Sequence, residues 1–266
     1  MENRRTDLAH EAITGDCKKN NGVKLNSFES NGFKIVSAYI DKSTSKRINY
    51  TEGKYVSLYC GKAWIYNSDY QSLISKELSK QLKDFLLPSY KHVLICCIGN
   101  NDITADSLGP RVADKLIVNR HLRDLKDDFL LVSMREISLI SPGVIGQCGI
   151  GIEELSKCVS NLVNADLIVT IDALASKNAE NLGTVIQISD VGVRPGSGVG
   201  GNRQEISKAT TGIPVISIGV PTVIEYSDSY TKEAEKLLVS PKEIDLIIAS
   251  YSKIIATGIN LSLKDF

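Results

Sequence analysis

From residue 92 to 220 the chain alternates short, continuous apolar runs with amphipathic stretches: HVLICCIG, SLGPRVADKLIVNRHL, FLLVSM, EELSKCVSNLV, ADLIVTIDAL, TVIQIS and IPVISIGV. Uninterrupted apolar strands are buried on both faces, and the helices between them supply the cover. The pattern therefore predicts an α/β fold with a central, largely parallel sheet and helices on both faces. Upstream the period changes. GFKIVSAYI and GKYVSLYC, between about residues 32 and 62, alternate apolar and polar positions within glycine boundaries and predict a small additional β element near the N-terminus. SDYQSLISKELSKQLKDFLLP carries Leu73, Ile74, Leu78, Leu82, Phe85 and Leu86 at helical spacing, with Ser68 as the cap and Pro88 as the stop. SPKEIDLIIASYSKIIATGIN closes the chain as a helix, with Pro241 near its first turn and Gly258 near its end. Residues 1 to about 30 are polar without sustained period, and read as a mobile or removable segment.

Composition narrows this picture. A chain of 266 residues, 42% hydrophobic and 23% charged, buries one sizeable core, so one domain with attachments is expected. Lysine plus arginine number 31 and aspartate plus glutamate number 31, which implies no general attraction to nucleic acid or to an anionic membrane. Six cysteines, at 17, 60, 96, 97, 148 and 158, show no C-x-x-C pairing, and Cys96 and Cys97 sit inside an apolar run. That usage fits a reduced cytoplasmic chain with buried thiols, not a disulfide framework or a zinc site. No apolar run approaches the roughly 18 residues of a membrane span, and the polar opening has no export signal.

In a parallel sheet of this kind, catalytic groups gather beyond the carboxyl ends of the strands. Two acids stand there: Asp106, in the loop NNDITADSLGP after HVLICCIG, and Asp172, which interrupts the apolar run ADLIVTIDAL. Taken alone, Asp106 is better read as the cap of a helix starting near Ser107, and Asp172 equally as a carboxylate anchored on backbone amides. As a pair they suit another task. Two carboxylates at one sheet edge can share a proton, one drawing a proton from water while the other supplies one. Asp102 is the second choice for the role of Asp106.

The loop SDVGVRPGSGVGGNR contains G-x-G-x-x-G at Gly196, Gly198 and Gly201, but Pro195 and several loop residues separate it from the preceding strand, as a dinucleotide fingerprint does not. It reads better as a loop shaping a cleft with inward backbone amides. A nucleophilic hydrolase has poor material, since His10, His92 and His121 are the three histidines and none lies in a promising position. Cys148 is the one thiol in a glycine-rich loop, and a small buried packing residue is its simpler reading.

These loops, in this order, resemble the germination protease family of endospore-forming bacteria, itself similar in fold to the hydrogenase maturation endopeptidases. The matching segments are RTDLAHE at 5 to 11, GNNDITADSLGP at 99 to 110, SPGVIGQCGIG at 141 to 151, IDALAS at 171 to 176, IQISDVGVRPGSGVGGNR at 186 to 203, IPVISIGVPTV at 213 to 223, and PKEID with IATGIN near the end. The resemblance implies an aspartic-type endopeptidase with Asp106 and Asp172 as its catalytic pair, degrading small acid-soluble DNA-protecting spore proteins in the spore core during germination. Gly196, Ser197, Gly198 and Arg203 would shape the cleft or bind the substrate backbone. No metal or organic cofactor is implied, and the family resembles a homotetramer.

The resemblance also implies a zymogen. Family substrates are cut after an acidic residue, before an apolar residue and alanine, with glutamate a few positions on, and Thr6-Asp-Leu-Ala-His-Glu11 has that form. Residues 1–7 would be the propeptide, 8–266 the endopeptidase domain, and Asp7-Leu8 the self-processed bond. The chain departs from the family pattern at Ala105, where proline is usual, at Gly201, where asparagine is usual, and at Cys148 and Gly151, where threonine and glutamate are usual. It is also shorter between GVPTVIEY and SPKEID. Two rival readings stand beside the endopeptidase: an inactive homologue that binds spore proteins, and a nucleotide-binding protein using the 196–201 glycines.

Overall fold

The computed structural model describes residues 6–16, 23–48, 50–123, 135–196, 204–227 and 236–264. In chain order these form α1 (Ala9–Asp16), β1 (Val23–Ser30), β2 (Phe33–Ile40), α2 (Lys42–Ile48), β3 (Gly53–Tyr59), α3 (Ser68–Lys83), β4 (His92–Cys97), α4 (Leu108–Ala113), β5 (Glu136–Ile140), α5 (Ile145–Cys148), α6 (Ile152–Val163), β6 (Leu167–Ser176), β7 (Val185–Ser189), α7 (Lys208–Thr211), β8 (Val215–Ser227), β9 (Lys236–Val239) and α8 (Ile244–Leu263). The strands make one sheet in the order β1-β2-β3-β7-β8-β6-β4-β5, with β9 added to β8. Its centre is parallel, through β8-β6-β4-β5, and the predicted α/β class holds.

The expected N-terminal β element is present. β1, β2 and β3 form an antiparallel meander that joins the main sheet where β3 pairs with β7. The expected polar segment also proves structured in part, because Leu8, Ala9 and Ile13 are buried and β1 pairs along its whole length with β2. Three apolar residues at helical spacing were too few to register as a period.

Alternation along β4 shows how the strands serve two faces. Val93, Ile95 and Cys97 face α3 and α8 with Ile74, Leu78, Leu82, Tyr251 and Ile255, while Leu94, Cys96 and Ile98 face α6 with Ile152 and Val163. Each such buried side chain stabilises the fold by about 1.5–3 kcal/mol relative to exposure. α3 is capped by Asn67, whose side chain accepts the Tyr70 N–H at 3.1 Å, one residue before the expected Ser68. Gly258 lies inside α8, not near its end, where an added Cβ would stand 2.8 Å from Leu78 of α3. α8 is long and apolar enough to cross a membrane by length and composition, a property the run-length reading of the sequence overlooked. It is a core helix, with Ile247, Tyr251, Ile254, Ile255 and Ile259 all buried against the sheet.

Cys60, Cys96 and Cys97 are buried free thiols, as expected. Cys148 and Cys158 are exposed, so the packing reading of Cys148 is corrected: it ends α5, a single helical turn on the surface that Gly149 terminates in the left-handed conformation. The run FLLVSM lies outside the described residues.

Candidate active site

The loop after β4 is fixed by glycine. Gly99 adopts φ +130°, and a Cβ there would lie 1.9 Å from the Asp106 carbonyl oxygen, so only glycine lets the loop return so closely to the strand end. The return forms a short 3-10 turn, Thr104–Asp106, which packs against β6, β8 and α8. Ser107 is the N-cap of α4 and makes no side-chain cap hydrogen bond. Asp106 Oδ2 accepts the Asn100 N–H at 2.8 Å, which holds the carboxylate within its own loop. Asp102 is exposed and accepts from Gln147 Nε2 at 3.1 Å, while the same nitrogen donates to Asn100 Oδ1 at 2.8 Å. The loop of α5 is thereby latched to the loop of Asp106.

Asp172 is buried on β6 and its Oδ1 accepts the Ala173 N–H at 2.9 Å. The Ile98 N–H donates to the Ile171 carbonyl at 2.8 Å, so the loop carrying Asp106 leaves β4 directly beside Asp172. The two acids therefore belong to one end of the sheet, on neighbouring elements. In register, Asp172 pairs with Gly219 on β8, and Gly219 pairs with Gln187 on β7. Directly paired residues project to the same face, so this row carries a carboxylate, a gap and a carboxamide. Leu174, next but one along β6, leans over the gap: a Cβ on Gly219 would lie 2.5 Å from Leu174 Cγ.

The N-terminal segment lies on this face. Leu8 is fully buried among Leu174, Val185 and Tyr59. The Asp7 N–H donates to the Ala175 carbonyl at 2.9 Å, and the Ala175 N–H returns a hydrogen bond to Asp7 Oδ2 at 2.8 Å. Gln187 reads the backbone on both sides of the Asp7-Leu8 bond. Its Nε2 donates to the Asp7 carbonyl at 2.7 Å, and its Oε1 accepts the Ala9 N–H at 2.7 Å. Tyr50 Oη donates to the same Asp7 carbonyl. Burial above all pushes the Tyr50 phenol well above its ordinary range, so it remains a donor at every working pH.

One helical turn further on, Glu11 enters a pocket at the end of β6. Ser176 Oγ donates to it at 2.6 Å, the Lys177 N–H at 2.7 Å and the Asn178 N–H at 3.2 Å, and Asn181 Nδ2 and Thr6 Oγ1 also donate. Burial raises the Glu11 pKa, but the hydrogen bonds from Ser176, Thr6, Lys177 and Asn181 outweigh it, and the carboxyl lies below the usual glutamate range. His10 packs at a tilt of 58° against Tyr59 with centroids 5.5 Å apart, and burial lowers its pKa, leaving a neutral ring near pH 7.

Gly196 has φ +71° and directly precedes residues 197–203, which are not described. Ser197, Gly198 and Arg203 lie outside the described residues. Gln187 was discoverable in the sequence as the polar residue that interrupts the apolar middle of TVIQIS. Tyr50, Ser176, Asn178 and Asn181 carried no such signal.

The sequence pattern of the germination proteases matches residues 2–235. The chain belongs to the germination protease family. It is 34% identical to the germination protease of Clostridium tetani, covering 98% of this chain and 95% of that protein, and 35% identical to that of Clostridium acetobutylicum, covering 99% and 96%. The germination protease of Priestia megaterium is 38% identical over 83% of this chain and 63% of its own length. Among solved structures the chain is similar to a NiFe hydrogenase maturation protease HycI from Thermococcus kodakarensis, at 19% identity and a TM-score of 0.38, covering 66% of this chain and 98% of that one. Membership in this family makes peptide-bond hydrolysis the reaction class.

Proposed function

We propose that the chain is an aspartic-type endopeptidase of the spore core that degrades small acid-soluble DNA-protecting spore proteins during germination, and that it processes itself at Asp7-Leu8. The observation that carries this is that Gln187, which shares a sheet row with Asp172, holds the Asp7 carbonyl and the Ala9 N–H of a peptide of the expected cleavage form. Asp172 and Asp106 would act as a unit, one taking a proton from the attacking water and the other supplying one to the departing amine. Tyr50 and Gln187 point two donors at a single carbonyl oxygen, the arrangement that stabilises negative charge as a tetrahedral centre forms. The proposed chemistry needs water and these side chains.

In this reading residues 1–7 are the propeptide and 8–266 the endopeptidase domain, which acts as a homotetramer. The same reading assigns substrate binding to Gly196, Ser197, Gly198 and Arg203. The test is intact mass with N-terminal sequencing after incubation from mildly acidic to neutral pH, beside Asp106→Asn and Asp172→Asn. A new terminus at Leu8 that both substitutions abolish is the expected result. A chain that stays intact, and leaves acid-soluble spore protein uncut, overturns the reading in favour of a homologue that binds without cleaving.

A further inference from the structure

The carboxylate pocket of Glu11 is braced by hydrogen bonds in which the N-terminal segment takes no part. Asn178 caps the short 3-10 turn Ala179–Asn181, its Oδ1 accepting the Glu180 N–H at 3.0 Å, and the Asn181 N–H donates to the Asn178 carbonyl at 3.1 Å. The Asn178 N–H also reaches Ser176 Oγ at 3.1 Å, and Thr184 Oγ1 ties down the Glu180 carbonyl at 2.7 Å. These bonds hold the Ser176 hydroxyl, the Lys177 and Asn178 amides and the Asn181 carboxamide in convergence without help from the N-terminal segment. Preformed, convergent donors are what a carboxylate-binding site requires, since little ordering remains to be done when the ligand arrives.

The ligand side has a matching shape. The Glu11 and Ala12 N–H groups donate to the Leu8 carbonyl at 3.1 and 3.2 Å, so the peptide turns helical immediately after the carbonyl that Gln187 and Tyr50 hold. One turn then brings residue 11 over residue 7, a rise of about 5–6 Å. The clamp on the Asp7 carbonyl and the pocket for Glu11 are thus two ends of one recognition surface, with the Leu8 pocket of Leu174, Val185 and Tyr59 between them.

We propose that Ser176, the Lys177 and Asn178 amides and Asn181 form the subsite that reads a carboxylate four residues beyond the bond to be cut, presented on a single helical turn, and that Glu11 fills this subsite in the unprocessed chain. The substrate is then an acidic peptide able to adopt a turn, and the chain's own segment competes with it for the same donors. This rests on the endopeptidase reading of the same face. It adds the residues that select the substrate and the conformation they select.

The experiment uses the full chain carrying Glu11→Gln, which weakens the hold of its own segment. A fluorescein-labelled, C-terminally amidated peptide of residues 5–13 is titrated by anisotropy, beside the same peptide with glutamine in place of glutamate. The glutamate peptide should bind at least about tenfold more tightly, and adding Asn181→Asp, which opposes a second carboxylate, should erase the difference. If Asn181→Asp lowers the melting temperature, Ser176→Ala removes one donor without added bulk and should narrow the ratio. Equal affinity for the two peptides, or no binding of either, overturns the assignment. Cleavage is followed separately. A glutamate preference without cleavage counts against the endopeptidase reading alone, whereas cleavage without a glutamate preference counts against the subsite alone.

Discussion

Gln187 and Asp172 stand in one row of the sheet with only Gly219 between them. Two strand spacings separate their backbones by about 10 Å, and the absence of a side chain at 219 leaves that interval to Leu174 and the docked segment. The consequence is a specific sensitivity at Gly219. In Gly219→Ala the new Cβ would meet Leu174 Cγ at 2.5 Å, so Leu174 must move, and Leu174 is one wall of the Leu8 pocket. We expect a stability loss of about 1–3 kcal/mol, as for other overpacked sites, together with faster amide exchange in residues 7–13. Combining it with Leu174→Ala should give less than the sum of the two losses, and a strictly additive double-mutant cycle would contradict the contact.

The double clamp on the Asp7 carbonyl separates binding from chemistry. Tyr50→Phe removes one of two donors to that oxygen. A neutral hydrogen bond in the docked state contributes about 0.5–1.5 kcal/mol, so docking of the segment should weaken only modestly. If charge develops on this oxygen during processing, the rate should fall further, by about 10²- to 10³-fold. Timed mass spectrometry of self-processing beside exchange protection of residue 7 compares the two effects. Equal losses in both would limit Tyr50 to binding.

Much of the fold was legible because its strands are continuous and apolar. HVLICCIG and ADLIVTIDAL announce buried parallel strands, and the two acids at their ends announce the sheet edge. The docked segment was not legible as structure, because Leu8, Ala9 and Ile13 make too short an apolar stripe in a polar stretch, and their burial depends on a surface assembled from β2, β3, β6 and β7. Gln187 could have been noticed as a polar interruption of TVIQIS. Tyr50 and Asn181 could not, since each lies in a connection whose course depends on the finished sheet.

Gly99→Ala addresses Asp106. The Cβ would overlap the Asp106 carbonyl oxygen at 1.9 Å, and the backbone at φ +130° is closed to an alanine. The loop must open and the Asp106 carboxylate must lose its bond to the Asn100 N–H. Proteolytic activity should vanish while far-UV circular dichroism stays native, because the strands beneath do not depend on the loop. Retained activity would show that Asp106 need not hold this position.

The pH dependence of docking follows from Glu11. Its folded pKa lies below that of a free glutamate, because the donors of Ser176, Thr6, Lys177 and Asn181 outweigh the effect of burial. A depressed acid contributes stability above its unfolded pKa, near about 4.3, and that contribution is lost as pH falls through the lower folded value. The Glu11 contribution should therefore persist from neutral pH down to about pH 5 and fade below about pH 4 as Glu11 takes up a proton, beneath an earlier, separate loosening below about pH 6.5 from His10, whose buried ring is held neutral. Amide exchange of residues 7–13, corrected for the intrinsic pH effect, gives the curve directly. In Glu11→Gln the segment should be loose already at neutral pH and should lack the step below about pH 4. If the two proteins follow the same curve, the acid sensitivity belongs to another group and Glu11 is not the anchor.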